Sequence, residues 1–148
     1  KRLPQHLRYA LVFYRVEDIK AFSQALRVPL VCQDAAILVA QWDDAMHTLG
    51  SEPTEAPEAA LNAILATDAI RKPQRFAELL RAYALLLEVR GLEAGQITSQ
   101  IQQWQRLFES VIAVDAGVIA KSCGADTGKI KEAVYAARLD ALKNALIN

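Results

Sequence analysis

Apolar residues recur along most of this chain at the three- and four-residue steps of helices buried on one side. From Pro29 the series Val31, Ala35, Leu38, Trp42, Ala45 and Leu49 advances 4-3-4-3-4, and Gly50 ends it. A proline suits the first helical turn, because the amide hydrogen it lacks would have no partner there. Phe76, Leu80, Tyr83 and Leu87 mark one face of a helix opened by Pro73 and stopped by Gly91. Ile97, Ile101, Trp104, Phe108 and Val111 step by 4-3-4-3 along a further helix, with Gln100, Gln102, Gln103 and Gln105 over much of its remaining surface.

Shorter elements complete the pattern. Residues 7–14 and 19–26 read as two short helices, a third runs from Pro57 to about Ala66, and a fourth covers 114–121. A last helix carries Ile130, Val134, Ala137 and Ala141. The stretch Gly-Ser-Glu-Pro-Thr-Glu-Ala-Pro-Glu at 50–58 is the most loop-like, and with the link at 91–95 it is where mobility is expected. No alternating apolar and polar run competes as a strand. The predicted fold is therefore all-α: a helical, bundle-like body over 1–92 followed by a helical tail subdomain over 93–148.

Composition agrees with a globular helical chain. Hydrophobic residues make up 53% and aromatics only 7% of 148 residues, and Gly and Pro are few, 6 and 5. Lys and Arg number 17 against 17 Asp and Glu, so a general nucleic-acid coat protein is disfavoured while a local basic patch stays open. The first residue is Lys1, without Met, which points to a piece of a longer protein or a processed product. No apolar run approaches the roughly 20 residues of a membrane span. Cys32 and Cys123 stand far apart outside any metal-type cluster, the usage expected of reduced thiols in a cytoplasmic protein.

Candidate chemistry is sparse. Asp43 and His47 lie four apart on one helix beside Asp44, a spacing that suits metal ligation. A site needs three or four ligands, however, and the only other histidine, His6, has no ligand-type neighbours. No Ser or Cys is placed for a nucleophilic triad, so neither a catalytic nor a metal site is assigned. The turn Gly124-Ala125-Asp126-Thr127-Gly128-Lys129 has three residues between its glycines and Ile130 where a Walker motif needs Ser or Thr. Two uses stay open for it: a helix cap, or a phosphate contact through free N–H groups with Lys129 and Lys131 alongside. Arg71, Lys72, Arg75, Arg81 and Arg90 carry five positive charges against Glu78 and Glu88, either as a solvated face or as a phosphate-contacting patch. Trp42, Trp104, Tyr83 and Phe108 fall on apolar stripes and read as core, not as base-stacking platforms.

Several of these stretches together resemble a known family. Leu26-Arg27-Val28-Pro29, Leu38-Val39-Ala40, His47-Thr48, the run Asp68-Ala69-Ile70-Arg71-Lys72-Pro73-Gln74-Arg75-Phe76 and Glu88-Val89-Arg90-Gly91 look like the C-terminal half of a bacterial CCA-adding tRNA nucleotidyltransferase. Val114-Asp115-Ala116-Gly117, then Gly124, Gly128, Ile130 and Glu132-Ala133-Val134, is similar to that family's tail. The likeness runs in order from about Phe22 to Leu142. It implies an N-terminal head, absent here, that adds C, C and A to tRNA with magnesium and with ATP and CTP as substrates. The helical body and tail would clasp the acceptor and T-arm backbone of the tRNA. The chain has no Asp-x-Asp, so the resemblance implies a piece inactive by itself, without a cofactor of its own.

Many members also carry an HD phosphohydrolase motif in this region. Here Phe13 and Tyr14 stand where the His-Asp pair would be, the histidine-rich segment is missing, and Asp43 looks like a leftover ligand. By this resemblance the HD region is degenerate. The expected function is thus tRNA binding through phosphates and 2′-OH groups. Arg71, Lys72, Arg75, Arg81 and Arg90 form one contact set, and Lys121, Lys129, Lys131 and Arg138 form a second on the tail. One rival is a helical protein-interaction or regulatory module derived from an HD-type protein, favoured if the cations are scattered or tied in ion pairs. Another is a residual metal phosphohydrolase using Asp43, Asp44 and His47.

Overall fold

The computed structural model describes residues 2–50 and 53–147. Lys1, and Ser51 and Glu52 of the expected 50–58 loop, lie outside the described residues. Among the described residues there are eight α-helices and no strand: α1 Gln5–Phe13, α2 Ile19–Ala25, α3 Leu30–Leu49, α4 Pro57–Ala66, α5 Pro73–Val89, α6 Ala94–Ile112, α7 Ala116–Cys123 and α8 Thr127–Ile147. A single 3-10 turn, Pro53–Glu55, precedes α4. The all-α expectation holds.

The boundaries follow from the residues at the ends. Asp18, Asp115 and Asp126 each accept from backbone amides of the helix that follows: Ala21 at 3.0 Å, Val118 at 3.1 Å, and Gly128 at 3.0 Å. At α6 the Gln96 side chain reaches back to the Glu93 amide, 3.0 Å. Gly50 and Gly91, at φ 77° and 89°, end α3 and α5 in left-handed geometry that glycine adopts without strain. Pro29 sits just outside α3 as its cap, one residue before the turn where the pattern places it.

A single buried cluster is drawn from α1, α3, α4, α5, α6 and α8. The buried face of α3 begins at Cys32 and continues through Ala35, Ala36, Val39 and Trp42, packing most extensively on α1. Val31, expected on that face, is 55% exposed, because the first turn of α3 borders an open cleft. Trp42 is the hub: Phe76, Tyr83 and Trp104 meet its indole edge-on with centroids 5.5, 6.1 and 4.8 Å away. Phe76 in turn stacks on Phe108, 4.4 Å between centroids. Each such buried side chain contributes about 1.5–3 kcal/mol. From α8, Leu142 is fully buried in the same cluster, and the Tyr135 hydroxyl donates to Asn62 of α4, 2.9 Å. The cluster therefore continues across the turn between α5 and α6.

Candidate nucleic-acid interface

Helix α5 is the element on which the first set of cations is strung, and its length separates them. At 1.5 Å of rise per residue, Arg75 and Arg90 stand about 22 Å apart along the axis. Arg71, Lys72 and Arg75 gather at the N-terminal end, where the helix dipole is positive and Lys72, the capping residue, offers no side-chain acceptor to the first amides. Lys72 and Arg75 line a cleft of about 330 Å³ shared with the first turns of α3 at Leu30, Val31 and Asp34. That end of α3 is capped by Pro29 and likewise has no capping side chain. Two helix N-termini thus border one cleft. The Arg75 Nε is buried there without a hydrogen-bond partner. Negative charge is present too, in Asp34 and in Glu78, which is paired with the His6 imidazole.

The other members of the set are occupied differently. Arg71 is held by Asp68, with Nε 3.1 Å from Oδ2. This hydrogen bond, helped by the charge of Arg71, holds the Asp68 carboxyl below the usual range. Arg81 borders a separate groove between α5 and α6 with Leu85, Leu92 and Ile97. Arg90 reaches across to α3: its Nη2 donates to Asp43 Oδ2 at 3.0 Å, and Nη1 makes an ion-pair contact of 2.8 Å with Oδ1. The same Nη2 donates to the Tyr14 hydroxyl, 3.3 Å. The bond to Asp43 pushes the guanidinium further above its already high range.

On the tail, Lys121 is exposed in the last turn of α7, and Lys129 and Lys131 are exposed in the first turns of α8. Arg138, further along α8, is half-buried and its Nε has no hydrogen-bond partner. The glycine turn itself acts as a cap. Asp126 Oδ1 accepts from the amides of Gly128 and Lys129, 3.0 and 3.2 Å, so those N–H groups are taken by a carboxylate that would repel a phosphate.

Asp43, Asp44 and His47 border a cleft of about 570 Å³ with Tyr14, Arg15 and Arg90. His47 Nδ1 donates to the Asp43 carbonyl, 2.8 Å, and Asp43 is held by Arg90. Among the described residues no three His, Cys, Asp or Glu side chains gather as a metal ion would require. A divalent metal does not fit this arrangement, and no chemical step is routed through one. Sequence reasoning missed the Asp43–Arg90 pair and the His6–Glu78 pair. Their partners lie 47 and 72 residues apart, and no local spacing announces them.

Fold and surface together define an all-α domain with cations displayed on several helix ends and a cleft bordered by an internal ion pair. Comparison with known proteins finds relatives named for CCA addition. The chain is 36% identical over 143 residues to a protein named CCA-adding enzyme from Bordetella pertussis, covering 97% of this chain and 35% of the relative. It is 40% identical over 148 residues to the Multifunctional CCA protein of Burkholderia vietnamiensis, covering 97% and 34%, and 40% identical over 133 residues to that of Burkholderia multivorans, covering 88% and 31%. The chain is thus a relative of the CCA-adding enzymes, matching their C-terminal part. It spans about a third of the length of the curated relatives it matches. No family model matches it, and no solved structure does. No helix among the described residues is long and apolar enough to cross a membrane.

Proposed function

We propose that this chain is the tRNA-gripping helical part of a CCA-adding nucleotidyltransferase, with the nucleotide chemistry supplied by a head outside it. The observation that carries the reading is the 97% coverage by relatives named for CCA addition. The cations at the helix ends are the candidate contacts for RNA. Lys72 and Arg75, beside the two helix N-termini, would take phosphates of the acceptor or T-arm backbone, and Lys121, Lys129 and Lys131 would form a second contact on the tail. Arg81 and Arg138 complete the candidate set. Arg71 and Arg90, already ion-paired, would contribute least. Magnesium, ATP and CTP belong to the proposed head, and no residue of this chain is assigned to them. The cleft at Asp43 is read as a degenerate HD site, in a cytoplasmic protein.

Filter binding of tRNA across a salt series tests this. The chain should bind with an affinity that falls steeply with salt, and Lys72→Ala combined with Arg75→Ala should lower the log–log slope by about 1.5. Arg71→Ala should leave the slope nearly unchanged. No binding, or binding indifferent to salt, would count against the reading. Joining the chain to a catalytic head and assaying incorporation of C and A at tRNA 3′ ends tests the parent activity. A second reading, a protein-interaction module, draws support from the ion-pairing of Arg71 and Arg90 and from the exposure of Val12, Leu30 and Val31, at 69%, 67% and 55%. It predicts the same fold with no salt-dependent tRNA binding.

A further inference from the structure

Asp68 has a left-handed backbone, φ 58°, in the turn that leads from α4 into α5. The turn is pinned on both sides. The hydroxyl of buried Thr67 donates to the Ile64 carbonyl at 2.6 Å and accepts from the Ala69 amide at 3.2 Å, and the Lys72 amide donates to the Asp68 carbonyl at 3.3 Å. Glycine or asparagine would meet this backbone demand as well as aspartate does. What aspartate adds is a charge. Asp18, Asp115 and Asp126 direct theirs to the amides of the helix that follows, but among the described residues the Asp68 carboxylate bonds only to Arg71. The Arg71 Nε lies 3.1 Å from Oδ2 and 3.3 Å from Oδ1, and its Nη2 donates to Oδ2 as well. Lys72 and Arg75 add their charges to the pull on the same carboxylate, so it sits in the field of all three cations at this end of α5.

We propose that Asp68 withholds Arg71 from RNA, and so sets how many cations the N-terminal end of α5 offers to phosphate. The inference rests on the reading of that end as an RNA contact. Arg71 is 71% exposed, within reach of a phosphate, and its guanidinium is a fork that two phosphate oxygens would match. Paired with Asp68, that fork is already occupied and its charge is cancelled, so its engagement would release no counterion from the nucleic acid. Asp68 is thus a positioning residue that acts through Arg71. The consequence is a grip that is weaker and more tolerant of salt than the count of cations suggests, with the difference expressed mainly in how fast RNA leaves. An exposed pair of this kind adds little to the fold, so its removal separates binding from stability.

Filter binding of tRNA to the whole chain over a salt series tests it, with wild type, Asp68→Asn, Asp68→Gly, Arg71→Ala and the Asp68→Asn/Arg71→Ala double variant. Asparagine and glycine both keep the left-handed turn and remove the charge, so either serves if the other folds poorly. Each should steepen the log–log slope by about 0.7–0.9, the share of one added phosphate contact. Taken from a common affinity at 1 M salt, that slope makes binding roughly tenfold tighter at about 50 mM and about fourfold tighter at about 200 mM. Arg71→Ala alone should stay near wild type, and the double variant should return to the wild-type slope. A gain that survives in the double variant overturns the proposal, because the carboxylate would then act by repelling RNA and not by holding Arg71. Salt-dependent binding by wild type that Asp68→Asn and Asp68→Gly leave unchanged overturns this inference alone. Absence of binding by every variant overturns the RNA reading and this inference with it.

Discussion

Replacing Phe76 by alanine is the most informative single perturbation of this fold. The ring is 1% exposed, meets the edge of Trp42 from α3 and stacks on Phe108 from α6, so it joins three helices at one point. Truncating a buried phenylalanine costs about 3–5 kcal/mol, the sum of lost transfer energy and the cavity left behind. For a chain of this size each kcal/mol lowers the melting temperature by about 2–4 °C, so a fall of roughly 6–20 °C is expected. Because Phe108 and Leu142 belong to the same buried cluster as Trp42, the loss should be felt by the whole chain in one transition. The assay is urea unfolding followed in parallel by far-ultraviolet circular dichroism and by fluorescence of Trp42 and Trp104, which lie 4.8 Å apart. Coincident curves, with a shifted midpoint and an unchanged slope, are the expected result. A second transition that Phe76→Ala leaves in place would refute the shared core, and a loss below about 1 kcal/mol would refute the packing argument.

Three further outcomes follow from other features. Leu142→Ala on α8, a residue with no exposed surface, should shift the same single transition by about 3 kcal/mol in the urea experiment. Burial raises the Tyr83 pKa above its ordinary 10.0, so the folded state keeps the phenol proton longer than the unfolded chain does. Stability should be undiminished by this group below about pH 10 and decline as pH rises beyond it, and Tyr83→Phe should flatten that alkaline limb in melts taken between pH 9 and 11. Asp126→Ala should cost about 1 kcal/mol by removing the cap that serves Gly128 and Lys129, with amide exchange at the start of α8 accelerating. A fully protected α8 start in that variant would contradict the capping role.

The residues set the helices by themselves, because helix formation is a local matter. Prolines at 57 and 73, glycines at 50 and 91, and aspartates at 18, 115 and 126 bear their consequences within a turn or two of their own positions, and α4 runs over the predicted 57–66. The buried stripes of α5 and α6 were equally legible, since a 3.6-residue period shows which face is apolar. The surface was less so. A run of five cations between 71 and 90 suggests one patch, yet a rigid helix places Arg90 about 22 Å from Arg75. It then delivers Arg90 to a carboxylate 47 residues earlier in the chain. Val31 shows the same limit from the apolar side: periodicity assigns it a face, and the packing of α1 against α3 decides how far that face is covered. Sequence fixes which side chains can be presented together on a helix. Only the packing of helices distant in sequence determines whether a charge meets solvent, where it can reach a phosphate, or an opposite charge that removes it from the surface.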